Sequence, residues 1–104
     1  MSERSVWRNG AWMCESKATV SIYDLGVMQS ASAFTMCRSF NGVVFKLDAH
    51  LDRFLQSCAL IGLSCPWTKD ELRRACDEIV SDNDHGAGEE HRLLIVASPG
   101  CASI

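Results

Sequence analysis

A chain of 104 residues fits one domain, and its 47% apolar and 22% charged content is that of an ordinary globular protein. A net charge of −3, with no run of three basic residues, argues against a nucleic-acid surface. The longest apolar runs, such as Leu93 to Ala97, are too short to span a bilayer, and Met1 to Gly10 holds no apolar signal segment, so the expected setting is the cytoplasm, with no membrane partner.

In chain order, Ser5 to Met13 reads as two short strands around Asn9-Gly10, a dipeptide that favours a type I′ hairpin turn. Ala18 to Tyr23 alternates Val20 and Ile22 with small polar residues and predicts a third, half-buried strand. Asp24 to Ser32 reads as a loop or irregular crossing, with Asp24 suited to a turn before Gly26. The strongest strand pattern follows. Phe34, Met36, Arg38 and Phe40 share one face, Thr35, Cys37 and Ser39 the other, and Asn41-Gly42 turns the chain into a partner strand over Val43 to Leu47.

Asp48 is the expected N-cap of a helix from Ala49 to Ile61, with Leu51, Phe54, Leu55, Cys58 and Ile61 on its apolar face and Gly62 ending it. Cys65-Pro66-Trp67 connects to a second helix, opened by a Thr68 to Glu71 capping box and running to about Val80, with Leu72, Ala75, Cys76 and Ile79 buried. Ser81 to Glu90 reads as an exposed acidic loop, Leu93 to Ala97 as an apolar strand, and Pro99-Gly100 as its break. The fold class expected is α+β, a mostly antiparallel sheet with two helices packed on it. The chain runs out at Cys101 to Ile104 without a terminating element, which reads as a linker into a further domain.

Six cysteines (Cys14, Cys37, Cys58, Cys65, Cys76 and Cys101) lie in apolar segments without a Cys-x-x-Cys pair or zinc spacing, so most are expected to be buried and reduced rather than redox-active or metal-bound. His85 and His91 lie in or beside the acidic loop and read as solvated rather than as ligands.

The first helix carries the most informative polar set. His50, Arg53 and Ser57 stand at i, i+3 and i+7, on a flank beside the apolar face. Arg53 there suits a phosphate dianion through paired charge-assisted hydrogen bonds; the alternative is a solvated arginine pairing with Asp52 or Glu15. Arg38, among apolar neighbours, needs a partner or a ligand anion, unless its stem packs and its head reaches water. No glycine-rich nucleotide loop, Gly-x-Ser-x-Gly or His-Glu-x-x-His occurs.

The order of segments nevertheless resembles a known pattern. Val20-Ser-Ile-Tyr-Asp-Leu-Gly26, then Phe34 with Arg38-Ser-Phe-Asn-Gly42, then Phe45-Lys-Leu-Asp-Ala-His-Leu-Asp-Arg-Phe-Leu-Gln-Ser57 is similar to class IV (fold type IV) pyridoxal-phosphate aminotransferases, the family of branched-chain, D-amino-acid and R-selective amine transaminases. Trp7-Arg-Asn-Gly10 and Arg92 to Gly100 also fit, so the resemblance covers nearly the whole chain, as the small N-terminal domain.

The resemblance implies pyridoxal 5′-phosphate as cofactor, Arg53 as its phosphate ligand, and Gln29, Phe34, Met36 and Arg38 as positions bordering the substrate pocket. It implies an amino acid, branched-chain or similar, and a 2-oxo acid as substrates, and a homodimer. Two departures stand out: Ser30-Ala31-Ser32 where members often read Gly-Asp-Gly, and Thr35 where they often have Glu. The family's catalytic lysine lies in a C-terminal domain, and Lys17, Lys46 and Lys69 match no catalytic position, so the 104 residues are expected to be inert in isolation. The alternative is a non-catalytic module from the same family, kept for dimerisation or for binding phosphorylated ligands.

Overall fold

The computed structural model describes residues 3–84, 86 and 89–101. Strands β1 (Ser5–Arg8) and β2 (Ala11–Cys14) form the first hairpin, and Asn9 and Gly10 adopt φ of 51° and 86°, the left-handed pair a type I′ turn requires. A 3-10 turn, Glu15–Lys17, follows.

The strand expected over Ala18 to Tyr23 does not form. Val20 and Ile22 are exposed, no described strand lies beside them, and Ser21 turns the chain by accepting from the Tyr23 amide at Oγ and the Asp24 amide at its carbonyl, each at 3.0 Å. Alternation builds a strand only where a neighbour takes up the backbone groups. The segment expected to be a loop instead holds one helical turn, α1 (Leu25–Met28). Asp24 caps it, its Oδ1 accepting from the Gly26 amide at 2.8 Å and from Ser98 Oγ at 2.7 Å.

Strand β3 (Ala33–Phe40) returns across Asn41-Gly42 as β4 (Val43–Val44), and β5 (His91–Ala97) lies along the other edge, giving an antiparallel sheet ordered β4-β3-β5. The return strand is shorter than expected because Lys46 turns left-handed, at φ 52°, and helix α2 (Leu47–Leu60) starts at once. Asp48 therefore sits in the first turn rather than at the N-cap. Its charge still complements the helix dipole, and it pairs with Arg73 of the second long helix, α3 (Lys69–Asn83).

Helix α2 ends in a Schellman turn. Gly62 at φ 79° donates to the Ala59 carbonyl at 3.1 Å, and Leu63 donates to the Cys58 carbonyl at 2.8 Å. Ile61, expected on the buried face, falls just past the last turn and is half-exposed. The capping box of α3 forms as expected, with reciprocal Thr68 and Glu71 bonds of 3.1 Å. The helix then runs three residues past Val80. Its last residue, Asn83, accepts from the Ser5 amide at 2.9 Å and donates to the Ser5 carbonyl at 3.1 Å, tying the first hairpin to the helix end.

The fold is α+β, as expected, with both long helices on one face of the three-stranded sheet. That face of β3 consists of Ala33, Thr35, Cys37 and Ser39, all buried. Their small size lets α2 approach closely through Leu47, Leu51, Phe54 and Cys58, while α3 closes the core with Leu72, Cys76 and Val80. All six cysteines are free. Cys37, Cys58 and Cys76 are buried, Cys65 is half-buried, and Cys14 and Cys101 are exposed.

Candidate functional site

The edge between α2 and β3 opens into a recess of about 350 Å³ lined by Phe34, Thr35, Met36, His50, Arg53 and Ser57. Two periodicities meet there. Spacings of three and four place His50, Arg53 and Ser57 on one flank of α2, and three successive residues of β3 supply a hydroxyl between two large apolar side chains. Thr35 Oγ1 lies 2.8 Å from His50 Nδ1, and the Arg53 guanidinium reaches the same Nδ1 at 3.2 Å. Arg53 is exposed, Thr35 buried and His50 between.

The carboxylates that composition offered to Arg53 are engaged elsewhere: Asp52 holds Lys69 at 2.9 Å, and Glu15 holds Arg4 at 3.2 Å. Arg53 enters no ion pair among the described residues, so its charge faces the recess without an internal anion. Cys37, two residues from Thr35 on the same buried face of the strand, feels that charge. Burial pushes its thiol up from the usual range, and Arg53 partly opposes the shift.

The structure gathers Phe34, Met36 and Arg53 in one recess and leaves Gln29 and Arg38 outside its lining. Gln29 is the exposed C-cap of α1. Arg38 is on the outer sheet face, where it pairs with Glu90 and lies 5.8 Å from the Phe40 ring centre, so its charge has a partner. Ser30 takes a left-handed conformation at φ 55°, which glycine would adopt without strain.

Thr35 is the recess residue that sequence reasoning missed, having singled it out only as a departure from glutamate. Its inward position on β3 was the available signal. His91, expected to be solvated, is largely buried instead. Its amide donates to Ser39 Oγ at 3.1 Å, and its Nε2, without a hydrogen bond among the described residues, sits 3.6 Å from Glu89 and 3.8 Å from Asp84. His85 lies outside the described residues.

A lysine is what the recess lacks. Lys46 lies 5.4 Å from the Phe45 ring centre, Lys69 is held by Asp52, and Lys17 ends the 3-10 turn.

Residues 32–103, which contain the recess, match the family model described as amino-transferase class IV. The chain belongs to the class IV aminotransferases. Members of this family depend on pyridoxal 5′-phosphate. Among relatives, the chain is 33% identical over 81 residues to a probable branched-chain-amino-acid aminotransferase of Rickettsia typhi, covering 78% of this chain and 28% of that protein. It is 35% identical over 71 residues to a D-alanine aminotransferase of Listeria monocytogenes, covering 68% and 25%. Among solved structures, the branched-chain aminotransferase of the archaeon Thermoproteus uzoniensis with norvaline superimposes with a TM-score of 0.87 at 29% identity, over 99% of this chain and 35% of that one. The chain thus spans about a quarter to a third of its relatives' length, and its architecture matches the N-terminal domain of fold type IV aminotransferases.

The recess fits one end of the cofactor. A guanidinium without a carboxylate partner, beside a serine hydroxyl on the same helix flank, suits a phosphate dianion, and Phe34 and Met36 suit an apolar ring or side chain.

Proposed function

We propose that this chain is the small, cofactor-facing domain of a pyridoxal-phosphate aminotransferase that moves an amino group between an amino acid and a 2-oxo acid. The observation that carries this reading is Arg53, standing free of carboxylates in the recess beside Phe34 and Met36. Arg53 holds the phosphate by paired, charge-assisted hydrogen bonds, and Ser57 adds a hydroxyl from the next turn of α2. Phe34 and Met36 give the site an apolar wall that favours an aliphatic substrate side chain, branched-chain or similar. Bound pyridoxal phosphate supplies the aldehyde that takes up the amino group and the ring that absorbs the electron pair left when the α-proton departs. This chain's residues bind and orient; no lysine of the chain lines the recess to move that proton. The 104 residues alone are therefore inert, and an assay with branched-chain amino acids and 2-oxoglutarate checks this by finding no turnover.

The same reading includes a homodimer and a cytoplasmic setting. The apolar outer face of the sheet supports association. Six free thiols support a reducing compartment.

The direct test is calorimetric titration of the chain with pyridoxal 5′-phosphate and with unphosphorylated pyridoxal. Binding that requires the phosphate and weakens roughly tenfold to a hundredfold in Arg53→Ala is expected, since hydrogen bonds to a charged group contribute about 1.5–3 kcal/mol. Equal binding of the two compounds would refute the assignment of Arg53.

A further inference from the structure

We propose that Thr35 and His50 form a positioning relay that presets the Arg53 guanidinium for a phosphate dianion. The inference rests on the reading of Arg53 as the phosphate ligand and concerns what holds that arginine in place.

Three side chains from two elements meet at one atom. Thr35 Oγ1, from the buried face of β3, lies 2.8 Å from His50 Nδ1, and the Arg53 guanidinium, one turn along α2, lies 3.2 Å from the same Nδ1. An arginine has donors only, so its approach requires an unprotonated Nδ1. The Thr35 hydroxyl must then also be a donor, and the imidazole carries its proton on Nε2. The contact with Arg53 thus fixes both the His50 tautomer and the direction of the Thr35 hydroxyl.

The consequence lies in the arginine. Arg53 projects from an exposed flank, where a long side chain has many rotamers to lose when it binds an anion. Anchoring one guanidinium nitrogen on a histidine that a buried strand residue holds removes part of that freedom in advance. The anchor is neutral, so it leaves the charge unspent, as an aspartate in the same place would not. The two donors share a single lone pair, and the longer bond, from Arg53, is the weaker. Arg53 can therefore shift towards a phosphate while Thr35 keeps the ring in register. Thr35 and His50 are positioning residues: the ligand meets Arg53.

The test uses the whole 104-residue chain with 15N-labelled histidine and arginine, followed by NMR while inorganic phosphate is added. Imine-type 15N character at His50 Nδ1 and pyrrole-type character at Nε2 are expected in the free protein, together with an ordered Arg53 side chain. Thr35→Val should keep Nδ1 unprotonated but lose the ordered Arg53 side chain and weaken phosphate binding about threefold to tenfold, and Thr35→Ser should restore both. A protonated Nδ1 in the wild-type chain, or Thr35→Val and His50→Leu variants that bind phosphate like the wild type while Arg53→Ala does not, would overturn the relay and leave Arg53 as the phosphate ligand. Undiminished binding by Arg53→Ala, or no phosphate-dependent change in the wild-type chain, would overturn both.

Discussion

The two faces of the central sheet share one strand and have opposite characters. Inward from β3 point Ala33, Thr35, Cys37 and Ser39, all small and all buried; outward point Phe34, Met36, Arg38 and Phe40, all larger and all exposed. β5 continues the outer surface, with Val96 opposite Phe34 and Leu94 opposite Met36. Large apolar residues are ordinarily the ones a domain hides. Here the small residues of the inner face let α2 lie against the backbone, and the large apolar residues of the outer face stay exposed. The recess forms at the margin between them, where Thr35 belongs to one face and Phe34 and Met36 to the other.

The contrast breaks most easily from the inside. Leu51 on α2 is fully buried against the small residues of β3, and Leu51→Ala should cost about 3 kcal/mol, measured as a fall in the chemical denaturation midpoint. Alkaline pH reaches the same core. Burial, with smaller contributions from Cys37 and Asp77, pushes the Cys76 thiol from 9.0 up to about 12, so the folded chain keeps a proton that the unfolded chain releases. That contribution to stability is complete below pH 9.0 and is lost as pH rises towards about 12, and Cys76→Ala should flatten the alkaline limb of a stability–pH profile. At the edge of the core, Thr68→Ala removes the α3 capping box and should cost about 1 kcal/mol, read from thermal melts.

Outside, the same kind of change should do little to folding. Phe34→Ser with Leu94→Ser should alter stability by no more than about 0.5 kcal/mol while reducing self-association in light scattering; a loss like that of Leu51→Ala would mean the face is part of the core. The smallest effect belongs to the surface pair of Asp48 and Arg73. The Arg73 hydrogen bond holds the Asp48 carboxyl below the usual carboxylate range. Its stabilising effect is present above the ordinary carboxylate pKa and lost as pH falls through the depressed one, so Asp48→Asn should slightly flatten the acid limb.

Much of this arrangement was legible in the residues because local chemistry decides it. Asn-Gly turns, the Thr68 and Glu71 pair, Gly62 and the strict alternation of β3 each specify their own geometry. So does the spacing of His50, Arg53 and Ser57, which put them on one helix flank. Alternation names two faces of a strand without saying which one the helices cover, and size is a poor guide where close approach matters more than bulk. Ala18 to Tyr23 has strand periodicity but no partner strand among the described residues, and Asp48 lost the N-cap position because the backbone turned left-handed at Lys46, two residues earlier. The bond between Thr35 and His50 depends on α2 folding back over β3, which no local pattern encodes.

The most direct test of the recess as the phosphate site is an amide NMR map of the chain titrated with pyridoxal 5′-phosphate. A second hollow, of about 290 Å³ beside Trp7, Trp67 and Arg74, provides an internal control. Shifts concentrated at Phe34, Thr35, Met36, His50, Arg53 and Ser57, and absent in Arg53→Ala, are the predicted result. Shifts centred on Trp7, Trp67 and Arg74, or a map unchanged by Arg53→Ala, would contradict the account.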